Sequence, residues 1–251
     1  MSKKVVAQVQ NLVKELGEGA GKVQAVKNTT LSINSGELTL LMGPSGSGKT
    51  TLISILGCIL TPTSGEVIID GENTQGMSAE QLADVRRRHI GFIFQSYNLF
   101  PTLSAIENVR LALDVRGTRG ALSKDLAEKA LSAVGLDHRM KSYPKQMSGG
   151  EQQRVAIARA LAGSPSIILA DEPTAALDSE NGYSVMALLS DVAHNAGRAV
   201  LAVTHDHRTL SYADRILRIE DGSIIDDERG DAASRSTKNL IPKKRRTKLD
   251  A

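Results

Sequence analysis

Eight residues, Gly43-Pro-Ser-Gly-Ser-Gly-Lys-Thr50, sit between a short apolar run, Leu38–Met42, and a helix-like run, Thr50–Leu60. The spacing G-x-x-x-x-G-K-[ST], in a strand–loop–helix context, restricts the fold more than any other feature of this chain. Successive backbone N–H groups can curl around phosphate oxygens, and glycine tolerates the positive φ and close approach that this requires. The positive end of the following helix points at the same anion. The motif predicts a phosphate cradle formed by Gly43, Pro44, Ser45, Gly46, Ser47, Gly48, Lys49, Thr50 and Thr51, with Lys49 neutralising β- and γ-phosphate charge and the Thr50 hydroxyl ligating Mg²⁺.

The rest of the chain alternates strand-like and helix-like segments, as an α/β fold requires. Strands are expected at Glu66–Asp70, Ile90–Gln95, Ile167–Ala170 and Ala199–Val203, with a closing hairpin, Arg215–Glu220 and Ser223–Ile225, around Asp221-Gly222. The wholly apolar 167–170 and 199–203 runs suit a sheet covered on both faces. Helices are expected over Ser148–Ala162, closed by Gly163, over Ser179–Asn195, and through most of residues 103–140, interrupted at Gly117, Gly120 and Gly135.

The run Ile167-Ile-Leu-Ala-Asp-Glu172 carries two carboxylates to the C-terminal end of a buried strand, where ligands bind in doubly wound sheets. Asp171 is placed to hold Mg²⁺ and Glu172 to orient and deprotonate an attacking water. A general base of this kind supplies about 10²–10⁴-fold in rate. With the glycine loop, this pair implies a nucleoside triphosphate with Mg²⁺ as its metal; the family resemblance carried by the next motif implies that the nucleotide is ATP.

At these residues the chain resembles the ABC (ATP-binding cassette) ATPase family. The segment Met147-Ser-Gly-Gly-Glu-Gln-Gln-Arg154 is similar to the family signature L-S-G-G-Q-x-x-R. Ser148 with Glu151 also reads as a capping box at a helix start. The resemblance covers roughly residues 5–225. It implies a P-loop NTPase with a RecA-like core, an antiparallel β subdomain and a helical subdomain at about 96–162, within a domain spanning 1–228. It further implies that Ser148, Gly149, Gly150 and Glu151 face the γ-phosphate held by a second copy in a nucleotide-sandwich homodimer. Gln95 matches the glutamine that senses Mg²⁺ and the transport domain, Asp178 ends the Ala176-Leu-Asp178 match to the family's D-loop, and His205 matches the histidine that contacts the γ-phosphate. Glu172 and His205 are therefore the expected catalytic residues, and Thr50, Gln95 and Asp171 the expected metal set. His89, His138, His194 and His207 have no such support.

Three departures from the family pattern stand out. Met147 and Glu151 replace the usual Leu and Gln of the signature, and both changes are mild. The third concerns the base: no Phe, Tyr or Trp precedes Phe92, and Leu16 occupies the place of the family's adenine-stacking aromatic. Weaker or less base-selective nucleotide binding is the expectation.

The segments Ile55–Gly65 and Arg86–Gln95 are similar to ATPases of macrolide-type export, lipoprotein release and heterocyst glycolipid export. That subgroup implies an integral-membrane permease in a separate chain, contact with a periplasmic adaptor only indirectly, and a place on the cytoplasmic face of the cell membrane. The chain ends soon after the hairpin at 215–225, which favours an exporter or extractor over a sugar importer with its added C-terminal domain. Phe94, Tyr97, Leu99 and Phe100 cluster beside Gln95, and Leu99 and Phe100 are expected to touch the permease. An alternative is an ATPase that regulates cell-wall or division enzymes without moving a substrate. DNA-repair relatives place a long coiled coil between the two halves of the site, whereas here 122 positions separate Lys49 from Asp171 without sustained heptads. Aromatics are 3% with no Trp, which argues against a single-strand nucleic-acid platform, and no nucleic-acid partner is expected. No apolar run approaches the ~18 residues that span a bilayer. The net charge of +3 is uneven: residues 235–251 hold seven Lys/Arg and one Asp, leaving the other 234 residues at −3. A basic, disordered tail over 229–251 is the expectation.

Overall fold

The computed structural model describes residues 3–230. The tail read at 229–251 therefore lies outside the described residues, apart from Arg229 and Gly230.

Six strands form one sheet in the order β10-β9-β3-β8-β7-β6. These are β3 (Glu37–Met42), β6 (Ile90–Ile93), β7 (Ile167–Asp171), β8 (Ala199–Val203), β9 (Arg215–Glu220) and β10 (Ser223–Arg229). All neighbours pair in parallel except β9 and β10, which make an antiparallel hairpin. Its Asp221 and Gly222 both have positive φ, 45° and 79°, as a tight Asp-Gly turn matching the strand twist requires. A second, antiparallel sheet has the order β2-β1-β4-β5, from β1 (Val5–Leu16), β2 (Val23–Asn34), β4 (Ser64–Ile69) and β5 (Glu72–Asn73). The helices are α1 (Lys49–Leu56), α2 (Ala79–His89), α3 (Ala105–Val115), α4 (Gly120–Ala133), α5 (Gly149–Leu161) and α6 (Ser179–Ala196).

The strand period of two decides which core each residue joins. Along β3, Leu38, Leu40 and Met42 enter a cluster with α3, α4, α5 and α6, while Leu41 points the other way. Leu41 joins Leu169, Leu201, Val203 and Leu217 in a second cluster, built with α1 and the antiparallel sheet. The parallel strands are thus covered on both faces, which explains their lack of polar alternation. Helices α3 and α4 pack on each other and on α5, and share one buried cluster with the sheet.

Several boundaries depart from expectation for identifiable reasons. Helix α1 ends at Leu56 rather than Leu60: Gly57 caps it, and Cys58 turns back with φ 53°. Cys58 is buried, but outside the helical pattern that the sequence implied. Strand β6 stops at Ile93, so Gln95 lies in the following loop rather than at a strand end. Gly163 has no left-handed φ, and its carbonyl accepts from the Arg116 guanidinium at 2.7 Å. The residue with positive φ after α5 is Ser164, at 48°. Strand β10 runs to Arg229, beyond the Ile225 expected, because Asp227 pairs with the buried Arg215. Helix α2 opens with a capping box formed by Ser78 and Gln81, a local signal that the expectations above did not use.

Candidate functional site

The loop Gly43–Gly48 leaves β3 and starts α1. Side chains are excluded at its two ends by backbone already in place. A Cβ on Gly43 would stand 2.0 Å from the Ile219 carbonyl oxygen, and one on Gly48 2.2 Å from that of Ala25. Gly48 also has φ 100°, and it caps α1 without any side-chain hydrogen bond. The first N–H groups of α1 therefore have no side-chain cap, the arrangement that suits an external anion. Lys49 is largely buried, and its Nζ donates to the carbonyl oxygens of Gly43 (2.8 Å) and Pro44 (2.7 Å). The ammonium is thereby held against the loop before any ligand arrives.

Opposite the loop, β7 delivers Asp171. Its Oδ1 is buried without a hydrogen-bond partner. Burial, and then the neighbouring Glu172 charge, push its carboxyl above the ordinary aspartate value, while Lys49 and the Thr50 hydroxyl pull it down. A buried orphan carboxylate oxygen beside a threonine hydroxyl is a hard-oxygen donor set suited to a divalent cation such as Mg²⁺. Glu172 follows with φ 48°, a strained conformation for a non-glycine residue. It is pinned there by its N–H, which donates to the Val203 carbonyl at 3.0 Å. Its Oε1 lies 2.9 Å from His205 Nδ1 on the loop after β8.

These groups surround one cavity of about 830 Å³. Gly43, Pro44, Ser45, Gly46, Gly48, Lys49, Thr50, Thr51, Gln95, Asp171, Glu172 and His205 all line it. Ser47 does not; its hydroxyl is buried without a partner, and its carbonyl accepts from Gly222 N at 3.0 Å. Sequence reasoning missed part of the wall: Val23, Gln24, Ala25, Lys27, Asp221 and Gly222 also line the cavity. The Asp-Gly turn was legible as a turn, but nothing local says that it folds back onto a loop some 170 positions earlier.

The structure does not bring Ser148, Gly149, Gly150, Glu151 or Asp178 into this cavity. Ser148 Oγ accepts from Glu151 N (3.2 Å) and Glu151 Oε2 accepts from Ser148 N (2.8 Å), so the capping box is formed. Arg139 Nε donates to the other Glu151 oxygen at 2.8 Å. These partners hold the Glu151 carboxyl below its usual range, the Ser148 backbone N–H contributing most. Asp178 caps α6, accepting from Asn181 N at 2.9 Å. Within one chain these five residues act as helix caps or lie beside one.

The aromatic cluster near Gln95 is divided by the fold. Phe94 stacks on Phe92 with centroids 4.4 Å apart. Leu99 is partly buried against the helical core, and it also lines a small surface cavity with Ser96, Tyr97, Asn98 and Pro101. Phe100 is half exposed and lines a larger groove, about 1000 Å³, between α2 and α3. Tyr97 and Asn98 have φ of 59° and 50°, and Arg159 on α5 donates to the Tyr97 carbonyl at 2.7 Å and also to that of Asn98.

A family model described as "ABC transporter" matches residues 26–175. The Shewanella protein "Macrolide export ATP-binding/permease protein MacB" is 44% identical over 225 residues, covering 90% of this chain but 35% of that one. The chain thus spans about a third of the length of its macrolide-export relatives. "Uncharacterized ABC transporter ATP-binding protein MJ1508" of Methanocaldococcus jannaschii is 45% identical over 219 residues, covering 87% of this chain and 97% of that protein. The solved "Dimeric structure of a post-hydrolysis state of the ATP-binding cassette MJ0796 bound to ADP and Pi", from the same organism, superposes with a TM-score of 0.81 at 42% identity, covering 89% of this chain and 98% of that chain.

Proposed function

The chain belongs to the ABC transporter family, and from that premise we propose that it is the ATP-binding and ATP-hydrolysing subunit of a membrane exporter or extractor. The observation that carries this reading is the convergence of Lys49, Thr50, Asp171, Glu172 and His205 on one cavity. The triphosphate lies along the glycine loop, with Lys49 and the start of α1 against its terminal charge. Thr50, Gln95 and Asp171 are the residues that would hold Mg²⁺, and the chemistry it would supply there is neutralisation of phosphate charge. Glu172 orients the attacking water and takes its proton, and His205 fixes the Glu172 carboxylate and reaches toward the γ-phosphate. The second wall comes from another copy: Ser148, Gly149, Gly150 and Glu151, with Asp178 beside them, close over the triphosphate in a two-fold dimer. Closure excludes water and completes the site. The family's dimeric solved cassettes support this arrangement, as does the exclusion of the signature residues from the cavity of a single chain.

No described helix is long and apolar enough to cross a membrane. We place the chain on the cytoplasmic face of the cell membrane, bound to a permease carried on a separate polypeptide. The single-cassette length of its archaeal relative supports that arrangement. The α2–α3 groove, with Phe100 on its wall, is the proposed permease contact, with the helical subdomain at about 96–162 moving between Gln95 and the signature. Export rather than import rests on the likeness to the macrolide-export proteins. The test is to trap Glu172→Gln with ATP and Mg²⁺ in native membranes and identify what co-purifies. A permease is expected, and Phe100→Ala should lose it. Recovery of a cell-wall hydrolase regulator favours the non-transport alternative, and recovery of nucleic acid alone overturns the proposal.

A further inference from the structure

Gln153 falls at an open position of the signature pattern, one turn into α5 from the capping box, yet its side chain is completely buried. Its Nε2 donates to the Pro173 carbonyl at 2.7 Å, while its Oε1 is buried without a hydrogen-bond partner. Gln153 shares a helix face with Gly149 and Gly150, four and three positions before it. On that face Gly150 stands against α6, where a Cβ on it would come 2.5 Å from Asn181 Oδ1. Asn181 is itself held by Asp178, which accepts from its backbone N (2.9 Å) and its Nδ2 (2.7 Å). The first turns of α5 are thus seated on the chain that follows Glu172, at Pro173 and again at Asn181. For stability alone, the amide is a poor choice at this place. Its orphan oxygen carries a desolvation cost that an apolar side chain of the same length would avoid. What the amide adds is direction: one donor aimed at the carbonyl next to Glu172.

We propose that Gln153 is a positioning residue shared by the two nucleotide sites of the dimer: it steadies the Glu172–Pro173 turn of its own site and, through α5, the Ser148 helix start that closes the partner's site. This rests on the two-copy site proposed above and adds a residue to it. The Glu172 turn is left-handed, with φ 48°, and is pinned on one side by the Glu172 N–H to the Val203 carbonyl. The Gln153 amide pins the next peptide from the other side, so the carboxylate is held between two fixed points. Because the same amide sits on a helix whose N-terminus faces a different nucleotide, its loss should be felt at both sites while the glycine loop stays as it is.

The test uses the full chain with Mg²⁺ and Gln153→Met, which keeps length and burial but cannot donate. Binding of a fluorescent ATP analogue to the single chain should stay within about twofold of native, because the phosphate loop is untouched. Phosphate release, at chain concentrations that saturate dimerisation, should fall by about fivefold, the scale of one hydrogen bond. On the Glu172→Gln background, where the base plays no part, the ATP concentration for half-maximal dimerisation should rise by a similar factor. Gln153→Asn keeps the amide but falls one methylene short of the carbonyl, and it should reproduce both effects. Loss in only one of the two readouts means that Gln153 serves a single site, and overturns the proposal; so does loss in neither. A matching loss of analogue binding makes Gln153 a purely structural residue and overturns it as well. A native chain that binds the analogue but never dimerises with ATP overturns this inference together with the two-copy reading.

Discussion

Asp171 and Glu172 are adjacent carboxylates with different environments, and the difference divides their chemistry. Asp171 ends a buried strand with an orphan oxygen, while Glu172 leaves the strand through a left-handed turn and meets His205. Replacing Glu172 by Gln keeps shape and removes the proposed base. Steady-state phosphate release should fall about 10²–10⁴-fold with nucleotide binding retained; equal loss of binding would contradict the assigned role. For Asp171 the linkage runs the other way. Burial and the Glu172 charge raise its folded pKa, so the folded chain binds that proton more tightly than the unfolded chain does. Its contribution to stability therefore declines as pH rises above the ordinary aspartate value of about 3.9. Asp171→Asn removes this cost. It should raise the Tm of the nucleotide-free protein at pH 7 by about 2–4 °C, while abolishing the Mg²⁺-dependent part of nucleotide stabilisation, both readable by calorimetry.

Helix α5 shows how one element serves two ends. Its N-terminus carries the capping box that residue spacing alone made legible. Its C-terminal half carries Arg159, whose fork holds the two left-handed residues that follow Gln95. Burial pushes the Arg159 guanidinium below its usual pKa, but its two carbonyl partners satisfy it. Lysine cannot reproduce that fork. Arg159→Lys should cost about 1–2 kcal/mol and, more tellingly, speed amide exchange over Ser96–Phe100 without changing that of β7. Uniform acceleration across the chain would mean that Arg159 serves global stability only. Gly163, just beyond the same helix, carries the complementary lesson: a helix-closing glycine was the local reading, but the left-handed residue there is Ser164, and the Gly163 carbonyl accepts from Arg116.

At the scale of the whole molecule, Arg215 joins the hairpin to both sheets. It is nearly fully buried, paired with Asp227 on β10 through two hydrogen bonds of 2.6 and 2.7 Å, and donating to the Ser32 carbonyl on β2. Its guanidinium holds the Asp227 carboxyl below the usual range. That stabilisation is present in full above the ordinary aspartate value and is lost as pH falls through the lower folded one. Asp227→Ala should leave a buried cation short of a partner and cost about 2 kcal/mol at pH 7, discounted for the partial exposure of Asp227. The difference from native should shrink toward acid pH in denaturant titrations; a difference that does not vary with pH would refute the assigned cause.

The amino-acid sequence by itself determined the chemistry that is local in the chain. The phosphate loop, the paired carboxylates at the end of β7, the capping box at Ser148 and the Asp-Gly hairpin each depend on backbone geometry and contacts within a few residues. Spacing therefore suffices to find them. The tertiary structure decided what is assembled across distance. It placed Leu16, Val23 and Gly222 on the wall of a cavity begun at Gly43, and left Phe100 half exposed while Leu99 packed partly against the helical core. It also kept β10 paired to Arg229 through a buried arginine, and left the signature helix outside the cavity of its own chain. Such outcomes depend on which backbone and which charge arrive from elsewhere to exclude a side chain or satisfy it, and no local pattern of residues carries that information.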